Sequence, residues 1–578
     1  MSKKAISILG INHGGHDTSA AFMRDGELIA ACEQERYTLD KHSRKFPVDA
    51  INDCLLRGRV SIDEVDEIAF AFQPIYHIQE AYLRPALTDA SRIGVLVQDI
   101  ERIEEALSIE EQIRAETGFA GSIKYYHHHK CHLASTWYPS GFDRALVVSY
   151  DGIGEVETGL LALGDGHSLE VFHQENRFPD SLGLLYSAVT HYLGWRHHCD
   201  EGIIMGLACY GDSNASVIGE TRSYIEVFRE IIRESGDFDY IIDPRWIAYH
   251  EARDKWISNH FTEVFGPKRN EGDEILIHHK NIAAALQRRL EEVVLSQLTK
   301  AQEKYDARYL CLSGGVALNC SLNGKIEQSR IFDEIFVQPA SGDAGVAVGA
   351  CYLAQAAREP KLSPSKNHNF YLGSVYEEVD KEDALLHRGL SPSRPDNLFD
   401  LVASRLAEGK IIGWFQGGAE FGPRALGNRS ILTRPFPGEM KDYLNARVKF
   451  REEFRPFAPA VLVEYFPEYF EIGQESPHML IACQASEKAR QEIPATVHVD
   501  NSCRVQTVRQ EMNPRFYALL DAFLRKTGCP VLLNTSFNVK GQPIVNTPLQ
   551  AIDCYLGTNI DCLVLGSYFV EKSELSLS

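Results

Sequence analysis

The sequence has no long apolar run: no stretch reaches the ~20 residues that span a bilayer. The run "AISILGI", which follows two lysines near the N-terminus, is too short for a secretory signal, so a cytoplasmic protein is expected. A cationic excess is also missing, with 59 Lys plus Arg against 80 Asp plus Glu and a net charge of −21. That balance argues against a non-specific nucleic-acid binder, which needs a basic face. It would suit a cationic substrate, or serve solubility alone. The 13 cysteines form no CxxC pair and keep no regular spacing, so they read as small core residues of a reducing compartment. No GxxxxGK[ST] string occurs, which excludes a P-loop NTPase. Internal repeats and low-complexity tracts are absent as well.

A chain of 578 residues with 44% hydrophobic content is long enough for at least two domains with their own cores. The opening segments "KAISILGIN", "TSAAFMRDG" and "ELIAACEQE" read as three strands joined by tight turns. A second set starts at "RALVVSYDGIGE" and continues through "ETGLLALGDG". "RYLCLSGGVALNCSLNGKI" and "EIFVQPASGDAGVAVGACYLAQAA" each read as strand, glycine-containing turn and helix. Two such starts predict a duplicated α/β unit. "SLGLLYSAVTHYLGW" and "NIAAALQRRLEEVVLSQLTKAQEKY" carry the three-to-four apolar spacing of helices. The linker "REPKLSPSKNHNFYLGSVYEE" marks a boundary near residue 365, giving domains 1–365 and 366–578. Beyond it, "CPVLLNTSFNVKGQPIV" reads as strand, polar turn, strand.

The segment "YYHHHKCHLASTW" crowds four imidazoles together. On a helix His128 and His132 share one face a turn apart, the spacing for two ligands of one metal ion. Asp151, at the end of the next strand, is a natural third ligand, and Asp343 at a helix start is available as a fourth. His127 and His129 point elsewhere and read as solvent-facing or supporting. Imidazole with carboxylate suits Fe, Mn or Zn without choosing among them. Gly152 in "SYDGIGE" and Gly314 and Gly315 in "SGGVALN" follow strands directly, where backbone amides can approach a phosphate. With a metal pair beside the first turn, ATP with a bridging metal such as Mg²⁺ is the expected ligand.

The last third of the chain sets Arg424, Arg429, Lys449, Arg451, Arg455 and Arg504 among Gly, Pro, Phe and Ala. Cations in so apolar a setting need anionic partners, and a bound phosphate would satisfy them. The "NTSFN" turn would add neutral donors.

"LGINHGGHDTSAAF", "EQERYTLDKHSRKFP", "FGPRALGNRS", "VKFREEFRPFAP" and "NTSFN" carry a resemblance that runs nearly end to end. The chain resembles the O-carbamoyltransferases typified by tobramycin carbamoyltransferase, cephem carbamoyltransferase and nodulation protein U. The resemblance implies an actin-like ATPase (duplicated RNase H-like) N-terminal domain similar to the tRNA threonylcarbamoyladenosine ATPase, responsible for carbamoyl transfer. It implies a YrdC-like α/β C-terminal domain that forms carbamoyl-adenylate. The substrates implied are carbamoyl phosphate, ATP and a hydroxylated small-molecule acceptor, as in secondary-metabolite biosynthesis. No nucleic acid or membrane partner is expected.

By motif, His128, His132, Asp151 and Asp343 match the family's Fe²⁺ site. Gly152, Gly314, Gly315 and Asn319 match its ATP contacts. Arg424, Lys449, Arg455, Arg504, Asn534 and Ser536 match its carbamoyl phosphate and adenylate site, with Lys449 and Arg455 as catalytic cations. His13 and His16 of "NHGGHD" are candidates for activating the acceptor hydroxyl. Two departures stand out. "HHKCH" replaces the usual His-His-Leu-Ala-His, introducing Cys131, and Ile203 replaces a lysine in "GIIMGLACYG". A fused tRNA-modifying threonylcarbamoyl transferase and a non-enzymatic actin-like ATP-binding scaffold are the alternatives. The acceptor and the oligomeric state are not legible.

Overall fold

The computed structural model describes residues 5–174, 176–251, 255–367, 369–449, 451–452 and 454–572. It divides into two compact units: 1–34 with 42–367, and 35–41 with 368–578. The linker reading placed one boundary near 365. The contacts place it at 367/368 and move a short segment, including the helix Glu35–Thr38, into the second unit.

The first unit holds two five-stranded sheets. One comprises β1 (Ser7–Asn12), β2 (Ser19–Arg24), β3 (Glu27–Glu33), β4 (Glu67–Phe70) and β5 (Ser122–Tyr125), in the order β3-β2-β1-β4-β5. The other comprises β6 (Arg144–Tyr150), β7 (Gly159–Asp165), β8 (Ser168–His173), β9 (Tyr309–Ser313) and β10 (Glu334–Val337), in the order β8-β7-β6-β9-β10. In both, the first three strands form an antiparallel meander and the last two run parallel to the first. The same order and the same senses occur twice, so the expected duplication, the plan of an actin-like ATPase fold, is present. Most of these strands are apolar runs buried on both faces, and all of β1 is buried; the edge strands β5 and β8 are partly exposed and carry polar residues.

This topology gathers the chemistry-bearing residues. His13 and His16 follow β1, Asp151 follows β6, Gly314 and Gly315 follow β9, and Asp343 follows β10. All lie beyond carboxyl ends of strands, where open α/β sheets place ligands. Helix His128–Ser140 follows β5 and crosses helix Val346–Arg358. At the crossing, a Cβ on Gly349 would stand 1.8 Å from the Cys131 carbonyl oxygen, so only glycine permits this approach. The contact fixes the helix bearing His128 and His132 against the one that begins just after Asp343.

The second unit is built on a seven-stranded mixed sheet, ordered Gln506–Val508, Ala458–Leu462, Val531–Ser536, Arg429–Thr433, Ile412–Phe415, Cys562–Leu565, Tyr568–Glu571. Separate apolar clusters, around Trp414 and Phe523 and around Phe415 and Tyr555, complete its core. "CPVLLNTSFNVKGQPIV" supplies one strand, not two: "QPIV" pairs with no ladder, as suits a segment whose Pro543 has no N–H to donate.

Candidate functional site

In the first unit, His128 and His132 emerge from one helix face with their Nε2 atoms 3.1 Å apart. Asp151 Oδ2 lies 3.4 Å from each of them, and Asp343 Oδ1 lies 3.6 and 3.8 Å away. Ligands about 2.0–2.2 Å from a shared ion stand about 3–3.5 Å from one another, so this donor set fits a single divalent cation. His128, His132 and Asp151 are buried. Burial opposes a charged imidazole at His128, but Asp343 and Asp151 outweigh it and raise its pKa well above the usual value. Burial likewise opposes the Asp151 carboxylate, yet the two histidines hold its pKa well below the ordinary range. The four side chains form a centre that favours positive charge.

Glu155 anchors the start of the histidine helix. Its carboxylate accepts from the His128 N–H at 3.0 and 3.2 Å and from the Gln73 N–H at 2.9 Å. His127 pairs with Glu157 at 3.2 Å, and Glu157 also accepts from the Tyr76 hydroxyl and Arg177. His129 is not solvent-facing. It is fully buried, with Nδ1 on Ser149 Oγ at 2.6 Å and Nε2 on the Glu157 carbonyl at 2.8 Å. Burial and the neighbouring His128 push its pKa down to about 3, so the ring is neutral. The Asp-Gly-x-Gly turn serves these rings: a Cβ on Gly154 would stand 2.8 Å from His129 Cδ2 and 3.1 Å from His128 Cδ2. Cys131 is buried and stands outside the four-donor cluster.

The proposed phosphate contacts in this unit have protein partners. The Gly315 N–H donates to Asp151 Oδ1 at 2.8 Å, and the Gly152 carbonyl accepts from Ser181 Oγ at 2.6 Å. Asn319 caps the helix Cys320–Ser329 through the Leu322 N–H and exchanges two hydrogen bonds with Gln287. Gly314 precedes the Gly315 amide in the same turn. Ile203 is buried in the helix Glu201–Ala208 and offers nothing to a phosphate.

The two acceptor-activating candidates separate. His13 shares a hydrogen bond with Gln112 Oε1 at 3.1 Å and packs edge-on against Phe46. His16 approaches the cluster, with Nδ1 2.9 Å from Asp17 Oδ2 and 3.8 Å from Asp343 Oδ2. Asp17 also accepts from His42 Nδ1 at 2.7 Å. Asp17 and His42 were missed in the sequence, although a carboxylate next to His16 is the expected kind of partner. Burial opposes charge on His16, but Asp343 and Asp17 raise its pKa to about 9.

In the second unit, Lys449 is buried, and among the described residues its ammonium meets only oxygens of the NTSFN turn: the Ser536 carbonyl and hydroxyl, the Asn538 carbonyl, and Asn538 Oδ1 at 2.8 Å. Burial, with Arg451 and Arg455 alongside, pushes its pKa well below the usual value. Arg451 is pushed down to about 9 by burial and by Arg455 and Arg504. Four cations therefore converge, and the Arg504 guanidinium has no hydrogen-bonded partner among the described residues. Arg455 is braced by Glu452 at 3.6 Å. Asn534 donates to the Ala425 carbonyl and to Gln506, while its buried Oδ1 has no partner among the described residues. Arg424 lies in the neighbouring loop Gly417–Asn428, whose shape Glu420 fixes by accepting from the Leu426, Asn428 and Arg429 N–H groups.

Arg429 departs from the expectation that each of these arginines awaits an anion. Its guanidinium donates to the carbonyls of Gln416, Gly417, Asn428 and Ser374 and lies 3.6 Å over the Phe415 ring. Carbonyl dipoles satisfy the buried charge in place of a ligand.

Residues 7–352 match the family described as "Carbamoyltransferase N-terminus", and residues 403–572 match "Carbamoyltransferase C-terminus". An uncharacterized protein of Synechocystis sp. is 37% identical over 609 aligned residues, covering 98% of this chain and 97% of that one. Nodulation protein NolNO of Sinorhizobium fredii is 37% identical over 575 residues, covering 97% of this chain and 80% of that one. Nodulation protein U of Rhizobium tropici is 28% identical over 547 residues, covering 91% and 90%.

Proposed function

The chain belongs to the carbamoyltransferase family and is a transferase; from that premise we propose that it is an ATP-dependent O-carbamoyltransferase. It moves the carbamoyl group of carbamoyl phosphate, by way of carbamoyl-adenylate, to a hydroxyl of a small-molecule acceptor. The observation that carries this reading is the convergence of Lys449, Arg451, Arg455 and Arg504 in the second unit. Carbamoyl phosphate and ATP are polyanions. Water first cleaves carbamoyl phosphate to carbamate and inorganic phosphate, and a carbamate oxygen then attacks the α-phosphorus of ATP with release of pyrophosphate. These steps need a dense field of fixed cations. Family membership sets the scaffold reading aside. No observation favours the tRNA-modifying reading, and the net charge of −21 opposes it.

The division of labour follows the chemistry of the two units. In the second, Arg455 and Arg504 neutralise phosphate oxygens, and Lys449 holds the Ser536–Asn538 turn against them. In the first, His128, His132, Asp151 and Asp343 would hold an iron ion, which when bound supplies a Lewis acid beside the transferring carbamoyl group. Asp17 fixes His16 through Nδ1 and, with Asp343, favours its charged form, so Nε2–H is a donor that positions an oxygen of the acceptor or of the carbamoyl group. Buried walls around the histidine helix keep water from a mixed anhydride that it would hydrolyse.

The test is pyrophosphate release by the purified chain with ATP, with and without carbamoyl phosphate. Release that depends on carbamoyl phosphate is expected. Release that is absent, or indifferent to carbamoyl phosphate, would refute the adenylate route.

A further inference from the structure

Next to His16, the first unit carries a shelf of rings. The His197 and Trp256 rings stand 4.2 Å apart, tilted by 35°; His198 meets Trp256 at 5.2 Å, and His198 in turn lies 5.5 Å from His16. The contacts thus run unbroken from Trp256 through His198 and His16 to Asp343. His198 is held with a left-handed backbone, φ 56°, a conformation that costs energy in a non-glycine residue and recurs at functional sites. Burial and adjacent positive charge lower the pKa of His191 to about 4 and of His198 to about 3, and lower that of His197, so the rings face a ligand uncharged.

The rim of this shelf is basic. Arg44, Arg196 and Lys268 are exposed and are all charged neighbours of His197. Lys268 donates to His191 Nε2 at 2.8 Å. Among the described residues none of the three cations forms an ion pair. Two carboxylates share the segment, Asp200 and Glu201, and accept from the Arg196 and His198 N–H groups at 3.1 and 2.6 Å. With those engaged by the backbone, the three side-chain cations stand without ion pairs around one aromatic surface among the described residues. Among other surface arginines of this unit, Arg222 is paired to Glu220 and Glu230 and Arg229 to Glu292, while Arg59 and Arg102 form no ion pair among the described residues. What sets Arg44, Arg196 and Lys268 apart is that all three neighbour His197.

We propose that this shelf docks the acceptor alcohol, and that the acceptor carries both a ring face and a negative group. The proposal rests on the carbamoyl-transfer reading and names the acceptor class that its first-unit site takes. The ring lies against Trp256 and His197, the negative group meets Lys268 and Arg196, and a hydroxyl on the inner edge reaches His16. The overall acidity of the chain points to a cationic acceptor; the shelf points the other way, because local charge decides what a bound ligand meets.

Three matched alcohols test this: para-hydroxymethylbenzoate, benzyl alcohol and para-hydroxymethylbenzylamine. Their binding to the full chain is read by saturation-transfer NMR and by quenching of tryptophan fluorescence, neither of which requires turnover. The benzoate should bind tightest and the amine weakest. Lys268→Ala should weaken the benzoate about tenfold and leave benzyl alcohol nearly unchanged, and Arg196→Ala should do the same. Trp256→Phe should weaken all three. Equal binding of the three probes, preference for the amine, or a Lys268→Ala effect blind to probe charge would overturn the proposal. So would displacement of the benzoate by ATP, which would assign the shelf to the nucleotide. Carbamoyl-phosphate-dependent pyrophosphate release by the wild-type chain needs no acceptor, so it reports on the functional reading independently.

Discussion

The Asp151 carboxylate joins the histidine centre to the Gly315 turn: Oδ1 accepts the Gly315 N–H at 2.8 Å, while Oδ2 stands 3.4 Å from both His128 and His132. One side chain thereby ties the end of β6 to the turn after β9 and orients the donor set. If the proposed nucleotide binds at the glycine turn, movement of that turn would pass directly to Asp151, a proposed metal ligand.

Asp151→Asn separates these two roles. The amide oxygen can still accept from Gly315, so the fold should persist with its melting midpoint little changed. The face toward His128 and His132 then presents an NH₂ group, which neither bears charge nor ligates. Bound metal, measured by elemental analysis of the purified variant, should fall far below that of the wild type. Full metal content would show that Asp151 is a structural link alone.

His129 and His132 should fail in opposite ways. His132→Ala removes one donor of four and should strip the metal while leaving a folded protein. His129→Ala leaves the Ser149 hydroxyl and the Glu157 carbonyl buried without their partner and opens a cavity, a loss of about 2–5 kcal/mol. Its thermal midpoint should drop while the metal content of the folded fraction holds. Metal loss in His129→Ala without destabilisation would mean that the ligand assignment is wrong.

Those two histidines also mark the limits of the sequence. The His128–His132 pair was legible because helical spacing is local, and Asp151 because it ends the next strand. Asp343 lies far along the chain and was named from its place at a helix start; the parallel order β6-β9-β10 brings its turn to the same end of the sheet as Asp151. Of the two readings of His129, solvent-facing or supporting, burial removes the first; its partners, Ser149 and Glu157, belong to strand and turn neighbours that spacing does not reveal. Arg429 misled for a related reason: backbone carbonyls satisfy a buried guanidinium without any acidic residue to announce them. The transfer of residues 35–41 into the second unit was illegible, since Arg36 donates to the Gly422 carbonyl and Tyr37 shares a hydrogen bond with Ser374. Most strands of the repeated meanders, by contrast, are written in nearly continuous apolar runs, β8 being the exception.

The Asp17 clamp gives the first unit a pH signature. Burial opposes charge on His42, but Asp17 raises its pKa from 6.5 to about 11. A histidine whose folded pKa is raised contributes stability that is complete below its unfolded value and is lost as pH rises through the folded one. Thermal stability of the first unit should therefore decline between 6.5 and about 11, by at most about 1.4 kcal/mol per pH unit for each proton concerned. Asp17→Asn should flatten that decline. An unchanged slope in the variant would assign the pH dependence to other groups.

Arg504 and His132 provide the sharpest division between the two chemical steps. Lys449 is a poor probe for the first step, because its ammonium also holds Ser536 and Asn538 in place, and removing it disturbs the turn as well as the charge. The Arg504 guanidinium has no such duty, having no hydrogen-bonded partner among the described residues. Arg504→Ala removes a charge-assisted phosphate contact worth roughly 1.5–3 kcal/mol, or about ten- to a hundredfold in rate if the contact persists in the transition state. The variant should lose carbamoyl-phosphate-dependent pyrophosphate release to that extent and still transfer carbamoyl from chemically supplied carbamoyl-adenylate. His132→Ala should keep pyrophosphate release and fail to carbamoylate the acceptor. If Arg504→Ala is equally slow with supplied adenylate, or His132→Ala abolishes pyrophosphate release, then adenylate formation and transfer share one set of residues, and their assignment to separate units falls.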